Sequence, residues 1–320
     1  MTELEPQSAL TLAEQQDEQP RQQSNRRVSR KQLLKTVGIG AAGAAGLAAL
    51  NPAALGSLTA FAGSSPDDTS GDTPLQIFTA ALIAEDLATT FYYTAMEGPE
   101  IHDVNLAGPH GTALNPEQPP NGNPGNVLYL RAALSEEIAH ADLLRSLIGG
   151  TSYTKDPIGT FYVPANTFQR LSYFLGILDG LERAFIGAYL LAVREFSQMA
   201  ADTKAGITVF KDSNGNPYSS AQLEFFAEVA ASIAGVESEH RVLGRVIGNT
   251  NPANQYNYEQ TDSIYSVYHG SSSAVVALTP FLQPGSGKIP LYFIHARENA
   301  HYYTVPTTGG IPPFSAAAHL

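Results

Sequence analysis

Two tetrapeptides place a glutamate and a histidine three residues apart: Glu137-Ile138-Ala139-His140 and Glu237-Ser238-Glu239-His240. In a helix that spacing sets both side chains on one face, one turn apart, so both reach a common cavity. Two further glutamates, Glu85 and Glu182, each interrupt an otherwise apolar stripe. A lone buried carboxylate is costly, and four of them close together also repel one another, so the pattern demands compensating cations. Two divalent ions supply +4 against the −4 of four carboxylates and two neutral imidazoles. Mixed carboxylate and imidazole ligands suit iron or manganese. The chain has no cysteine, which excludes disulfides, thiolate zinc sites, iron–sulfur clusters and a Cys nucleophile. The expected cofactor is therefore two Fe or two Mn ions, with Glu85, Glu137, His140, Glu182, Glu237 and His240 as metal residues. No catalytic residue is expected beyond these ligands.

Four helices must position this set. Each glutamate lies near the middle of a stripe whose apolar positions alternate at spacings of three and four, the inward seam of a bundled helix. In the first, the seam runs Leu75, Phe78, Leu82, Glu85, Thr89, Tyr92; in the third, Leu175, Leu178, Glu182, Phe185, Tyr189. Thr73-Pro74 with Gln76, and Ser219 with Gln222, have the spacing of helix starts closed by a capping box. Gly98-Pro99, Gly149-Gly150 and Gly248 are stops. Loops rich in Pro, Gly and Asn are expected at about 98 to 125, 149 to 166 and 203 to 218. The order Glu, Glu-x-x-His, Glu, Glu-x-x-His reads as a duplication, with 52 residues from Glu85 to Glu137 and 55 from Glu182 to Glu237. The halves then relate by a pseudo-two-fold axis through the metals. Tyr92 and Tyr189, each seven residues beyond its glutamate, repeat too; they read as core aromatics under the site, with a redox role as the alternative.

The segments ALIAEDLATTFYY, SEEIAHADLLRSLIGG, LDGLERAFIGAYL and VAASIAGVESEHRVLGR resemble the four metal-bearing helices of the exported ferritin-like family of the desiccation-related protein type. The resemblance spans roughly residues 74 to 250. It implies an all-α fold: a ferritin-like four-helix bundle with a central di-metal site plus an irregular C-terminal extension. It further implies that Glu137 and Glu237 bridge the metals, that Glu85 with His140 completes one metal and Glu182 with His240 the other. Ala88 stands where such helices often carry another acidic residue.

Lys plus Arg number 18 against 30 for Asp plus Glu, and the net charge is −12. With no basic stripe beyond the first 35 residues, nucleic acid is not an expected partner. Residues 1–62 read as an export segment. A basic cluster from Arg26 to Lys35 precedes the uncharged run Val37 to Leu50, which is shorter than the roughly 20 residues a spanning helix needs. Ala60-Phe61-Ala62 offers a small-residue cleavage site, giving cleavage after Ala62 and a periplasmic or extracellular protein. Ser29 to Lys35, SRKQLLK, resembles the twin-arginine export motif, with Lys31 in place of the second Arg and Leu33 in place of Phe. A retained anchor or a hydrophobic linker is the alternative. Residues 63–73 are a spacer, 74–250 the bundle and 251–320 an extension covering it. There His295, Glu298 and His301 have helical spacing, either as a short covering helix or as a second metal site. His102 and His110 lie in a long loop that either covers one end of the bundle or is a plain surface excursion.

The functional expectation is redox chemistry on peroxide, or on oxygen with Fe(II), by a peroxidase, catalase or ferroxidase type of oxidoreductase with a stress-protective role. The alternative is a non-catalytic metal-binding or desiccation-protective protein. Iron storage in a cage fits least, because the long loops and tail obstruct a closed shell. Expected partners are a small-molecule oxidant or a metal ion and the export machinery, with a homo-oligomer left open.

Overall fold

The computed structural model describes residues 73–97, 101–150, 152–250 and 278–300. The export expectation for residues 1–62, nearly all of the spacer, His301 and most of the extension lie outside the described residues. Four long helices carry the stripes: α1 (Pro74–Glu97), α2 (Pro124–Leu147), α3 (Leu171–Lys204) and α4 (Ser220–Ile247). The described residues are mostly helical, and the helices share one continuous apolar core. Among the described residues, no helix is long and apolar enough to cross a membrane.

The helix ends follow local chemistry. Thr73 and Gln76 close the expected capping box, with Thr73 N donating to Gln76 Oε1 at 2.8 Å and Gln76 N to Thr73 Oγ1 at 3.3 Å. Ser219 and Gln222 do the same for α4. For α2 the cap is Asn123, whose side chain accepts from the Asn126 N–H, with Pro124 in the first turn where its missing N–H costs nothing. Gly149 follows the α2 C-cap at φ +78°, the left-handed region that an unbranched Gly adopts without strain.

Helices α1 and α2 pack together, as do α3 and α4, and the pairs meet across α1–α3 and α2–α4. Phe78, Phe196 and Phe226 cluster with ring centroids 4.8–5.5 Å apart. Phe91, Phe168 and Phe174 form a second cluster with spacings of 5.0–6.2 Å. On α1, Glu85 lies seven residues after Phe78 and six before Phe91, so the glutamate layer sits about 10 Å from each aromatic cluster along the axis. Both clusters exclude water from it.

Two features depart from the sequence reading. Helix α1 is buried on nearly every face rather than along one seam. Its outer side packs against two further elements, β2 (Lys288–Tyr292) and the short helix α5 (Phe293–Asn299). The extension is thus structured where it is described. Strand β2 pairs antiparallel with β1 (Thr160–Pro164), with Phe161 opposite Leu291 and both buried, inside what reads from sequence as the α2–α3 loop. The small sheet adds to the helical bundle without changing its class. The 101–123 loop packs as well: Ile101, Leu106 and Ala113 are buried, and Asn126 Nδ2 donates to Asn105 O at 2.8 Å. His102 and His110 remain exposed on it.

Candidate metal centre

The bundle brings all six residues expected from the sequence into one buried layer. Glu85, Glu137, Glu182 and Glu237 are essentially inaccessible, as is His240, and His140 is nearly so. The ligand-capable atoms fall into two groups, Glu85–Glu137–His140–Glu237 and Glu137–Glu182–Glu237–His240, with the atoms of each group within 4.8 Å of one another. Glu137 and Glu237 belong to both groups. Each of the four helices supplies at least one member, and α2 and α4 supply the two Glu-x-x-His pairs.

Distances within the layer are short enough for the atoms of each group to serve one ion. His140 Nδ1 lies 3.3 Å from Glu85 Oε2, 3.8 Å from Glu137 Oε2 and 3.3 Å from Glu237 Oε1. His240 Nδ1 lies 3.0 Å from Glu137 Oε1, 3.4 Å from Glu237 Oε2 and 4.0 Å from Glu182 Oε2. Two donors about 2.1 Å from one octahedral ion stand about 3 Å apart when adjacent and about 4.2 Å when opposite, which brackets most of these spacings. Among the described residues, eight atoms of these six have no hydrogen-bond partner: Glu85 Oε2, both oxygens of Glu137 and of Glu237, Glu182 Oε2, and both Nδ1 atoms. Buried polar atoms are ordinarily hydrogen-bonded. Eight such atoms facing one another fit divalent cations: Glu137 and Glu237 would serve both groups, Glu85 with His140 would complete one and Glu182 with His240 the other.

The remaining oxygens of Glu85 and Glu182 are spoken for. Tyr92 on α1 donates its hydroxyl to Glu182 Oε1 on α3 at 2.6 Å, and Tyr189 on α3 donates to Glu85 Oε1 on α1. The crossing arrangement sets α1 antiparallel to α3 and turns one oxygen of each glutamate toward the ion position while holding the other. It explains why the tyrosines repeat at the same offset. Burial, then the facing glutamates, pushes both phenol pKa values well above their ordinary value, so both tyrosines stay protonated donors. Likewise the Nε2 of His240 stands 2.8 Å from Glu136 Oε2, which leaves Nδ1 directed inward.

Protons offset part of the negative charge crowded into the layer. Burial, reinforced by Glu237 and Glu137, raises Glu85 well above the ordinary carboxylate range, and burial with Glu237 does the same to Glu182. Burial is the largest single influence and works against the charge on both histidines, but the carboxylates together outweigh it, led by Glu85 at His140 and by Glu137 at His240, so both are raised. Glu137 is pushed up by burial yet held low by His240 and His140. Ions would displace these protons.

Two residues beside the centre, Glu136 and Asp86, escaped the sequence reading, and the sequence placed a third, Thr89, in the α1 seam without showing its part. Glu136 resembles a solvated surface acid, and only its contact with His240 shows its role. Asp86, beside Glu85, is fully buried and faces Arg145 at 3.6 Å. Thr89 is buried, and its hydroxyl is without a partner. Thr79, Thr90 and Thr94 of the same helix each donate to the carbonyl four residues back, at 2.6–2.7 Å. Thr89 does not, and it lies four residues after Glu85 and three before Tyr92, on the face that looks into the centre. Its inward position was legible from the seam, whereas the unpartnered hydroxyl shows only in the fold.

Among the described residues the two groups above are the ones with metal-binding geometry. The tail histidine His295 is exposed and pairs with Glu97 at 3.0 Å, on the outside of α1. Residues 73–209 match the family model of the ferritin-like domain. That match takes in α1, α2 and α3, with Glu85, Glu137, His140 and Glu182, and ends before α4, so Glu237 and His240 join the centre through geometry. No curated protein and no solved structure matches the chain.

Proposed function

We propose that this chain is an exported di-iron or di-manganese carboxylate protein that reduces hydrogen peroxide, or oxygen with Fe(II), and so protects against oxidative damage. The observation that carries the reading is the set of eight unpartnered donor atoms of Glu85, Glu137, His140, Glu182, Glu237 and His240, shared between two overlapping groups. A bound pair of ions passing from +2 to +3 supplies the two electrons that, with two protons, convert one peroxide to two waters. The protein's part is to hold and shield. Glu137 and Glu237 span both positions, Tyr92 and Tyr189 fix the outer carboxylates, and the Phe78 and Phe91 clusters keep bulk water away. Thr89 Oγ1 offers a free hydroxyl donor facing the layer, suited to orienting a small oxidant. Residues 1–62 belong to the proposal as the export segment.

A second reading, a metal pair that only locks the bundle, is favoured by the near-complete burial of all six residues. Turnover separates the two. The Fe(II)-loaded full chain is expected to oxidise two Fe(II) per added peroxide, read by iron absorbance under anaerobic conditions, with Thr89→Val slowing the reaction about tenfold, the worth of one hydrogen bond, at unchanged iron content. Iron that stays bound and ferrous after peroxide addition would sink the redox reading in favour of the structural one.

A further inference from the structure

The crossed tyrosine contacts show how the halves of the centre correspond: α1 with α3 and α2 with α4. The α2–α4 pair obeys the same exchange, since His140 approaches Glu237 Oε1 at 3.3 Å and His240 approaches Glu137 Oε1 at 3.0 Å. Under this correspondence the residue before Glu137 maps onto the residue before Glu237. The first is Glu136 and the second Val236. Here the two halves part.

Glu136 reaches from α2 to the Nε2 of His240 on α4 at 2.8 Å, although its own side chain is 46% exposed. The bond fixes the imidazole tautomer with the Nδ1 lone pair inward, holds the ring's orientation and raises its basicity toward a cation. Tyr92 adds an edge contact to the same ring, with centroids 5.9 Å apart. Among the described residues His140 has no such support. Val236 cannot accept a hydrogen bond, the His140 contacts all run through Nδ1, and its side chain keeps 11% exposure where His240 has none.

We propose that Glu136 makes the two metal positions unequal: the Glu182–His240 position takes the first ion and holds it, whereas the Glu85–His140 position binds the second more weakly and exchanges it with solvent. This rests on the reading of the layer as a di-metal centre. Mutual repulsion of two ions separates the binding steps even in a symmetric centre, so the assignment has to come from variants that act on one half. A fixing carboxylate behind a ligand histidine is worth about 10- to 100-fold in metal affinity.

Mn(II) titrated into the full chain by calorimetry is expected to show two steps. Glu136→Ala should weaken the tighter step by 10- to 100-fold and leave the weaker one unchanged, and Glu136→Gln, whose amide oxygen still accepts from Nε2, should recover most of that loss. Val236→Glu, at a half-buried position, should strengthen the weaker step and draw the two together. Two ions that still bind while Glu136→Ala alters both steps alike, or neither, would overturn the assignment but leave the centre standing. Wild-type chain that takes up no Mn(II) or Fe(II) would overturn the centre itself.

Discussion

Stripping the ions from the full chain is expected to lower its melting temperature by roughly 10 °C and to reverse the way its stability responds to pH. An ion that binds only the folded chain adds about 4 kcal/mol at a thousandfold excess over its dissociation constant, and each kcal/mol moves the midpoint of a domain this size by about 2–4 °C. The pH response follows from the protons that stand in for the ions. Glu85 and Glu182, raised chiefly by burial, and His140 and His240, raised by the carboxylates around them, all bind protons more tightly folded than unfolded. Their contribution is complete below the unfolded values, 4.5 for Glu and 6.5 for His, and is lost as pH climbs toward the raised folded values. Glu137, lowered in the fold, contributes above 4.5 and loses that only in acid, so it is silent between pH 5.5 and 8. Metal-free protein should therefore melt at lower temperature at pH 8 than at pH 5.5. Loaded protein should not, because ions displace those protons and bind more strongly as pH rises. Thermal unfolding with chelator and with excess Mn(II), at both pH values, measures this. Equal midpoints with and without metal would count against it.

A comparably large effect is expected from Arg145, which the mechanism does not use. The residue is 4% exposed, and its guanidinium gathers three acids. Nε and Nη2 donate to Asp156 at 2.5–3.1 Å, Nη1 donates to Asp142 at 2.5 Å, and Nη2 lies 3.6 Å from the fully buried Asp86. Asp142 also accepts from Arg297 of α5 at 3.0–3.1 Å, so one cluster ties α1, α2, the segment before β1 and α5 together. Burial, and then Asp156, already drives Asp86 well above its ordinary value despite Arg145. Replacing one partner of a buried ionic cluster strands the others, at about 3–5 kcal/mol. Arg145→Met should lose that much by denaturant unfolding, and adding Asp86→Asn to the same chain should restore part of it by removing one stranded buried acid. A loss under about 1 kcal/mol would mean the cluster behaves as a surface pair.

The buried Glu and His layer was legible because its residues are written into local spacing. Glu137 with His140 and Glu237 with His240 share a face by helical geometry alone, and a glutamate amid Leu and Phe stands out against burial cost. The capping boxes at Thr73 and Ser219 were legible for the same reason: both partners lie within one turn. What stayed hidden depends on residues far apart in the chain. Phe161 and Leu291 become strand neighbours only after the fold closes, and the all-round burial of α1 follows from that closure. Arg145 and Asp156 straddle a helix end and an irregular segment that no periodicity predicts. Glu136 sits one residue off the seam, where a carboxylate normally faces water, and its partner His240 lies 104 residues away. The aligned tyrosine offsets were visible, whereas their crossing was not.

The most direct test of the centre is the metal content of the purified full chain after reconstitution with Fe(II) or Mn(II), measured by elemental analysis beside a Glu137→Ala, Glu237→Ala double variant. The account predicts two ions per wild-type chain and none retained by the variant that has lost both shared carboxylates. A wild-type chain that retains no ion, or a variant that still retains two, would contradict it.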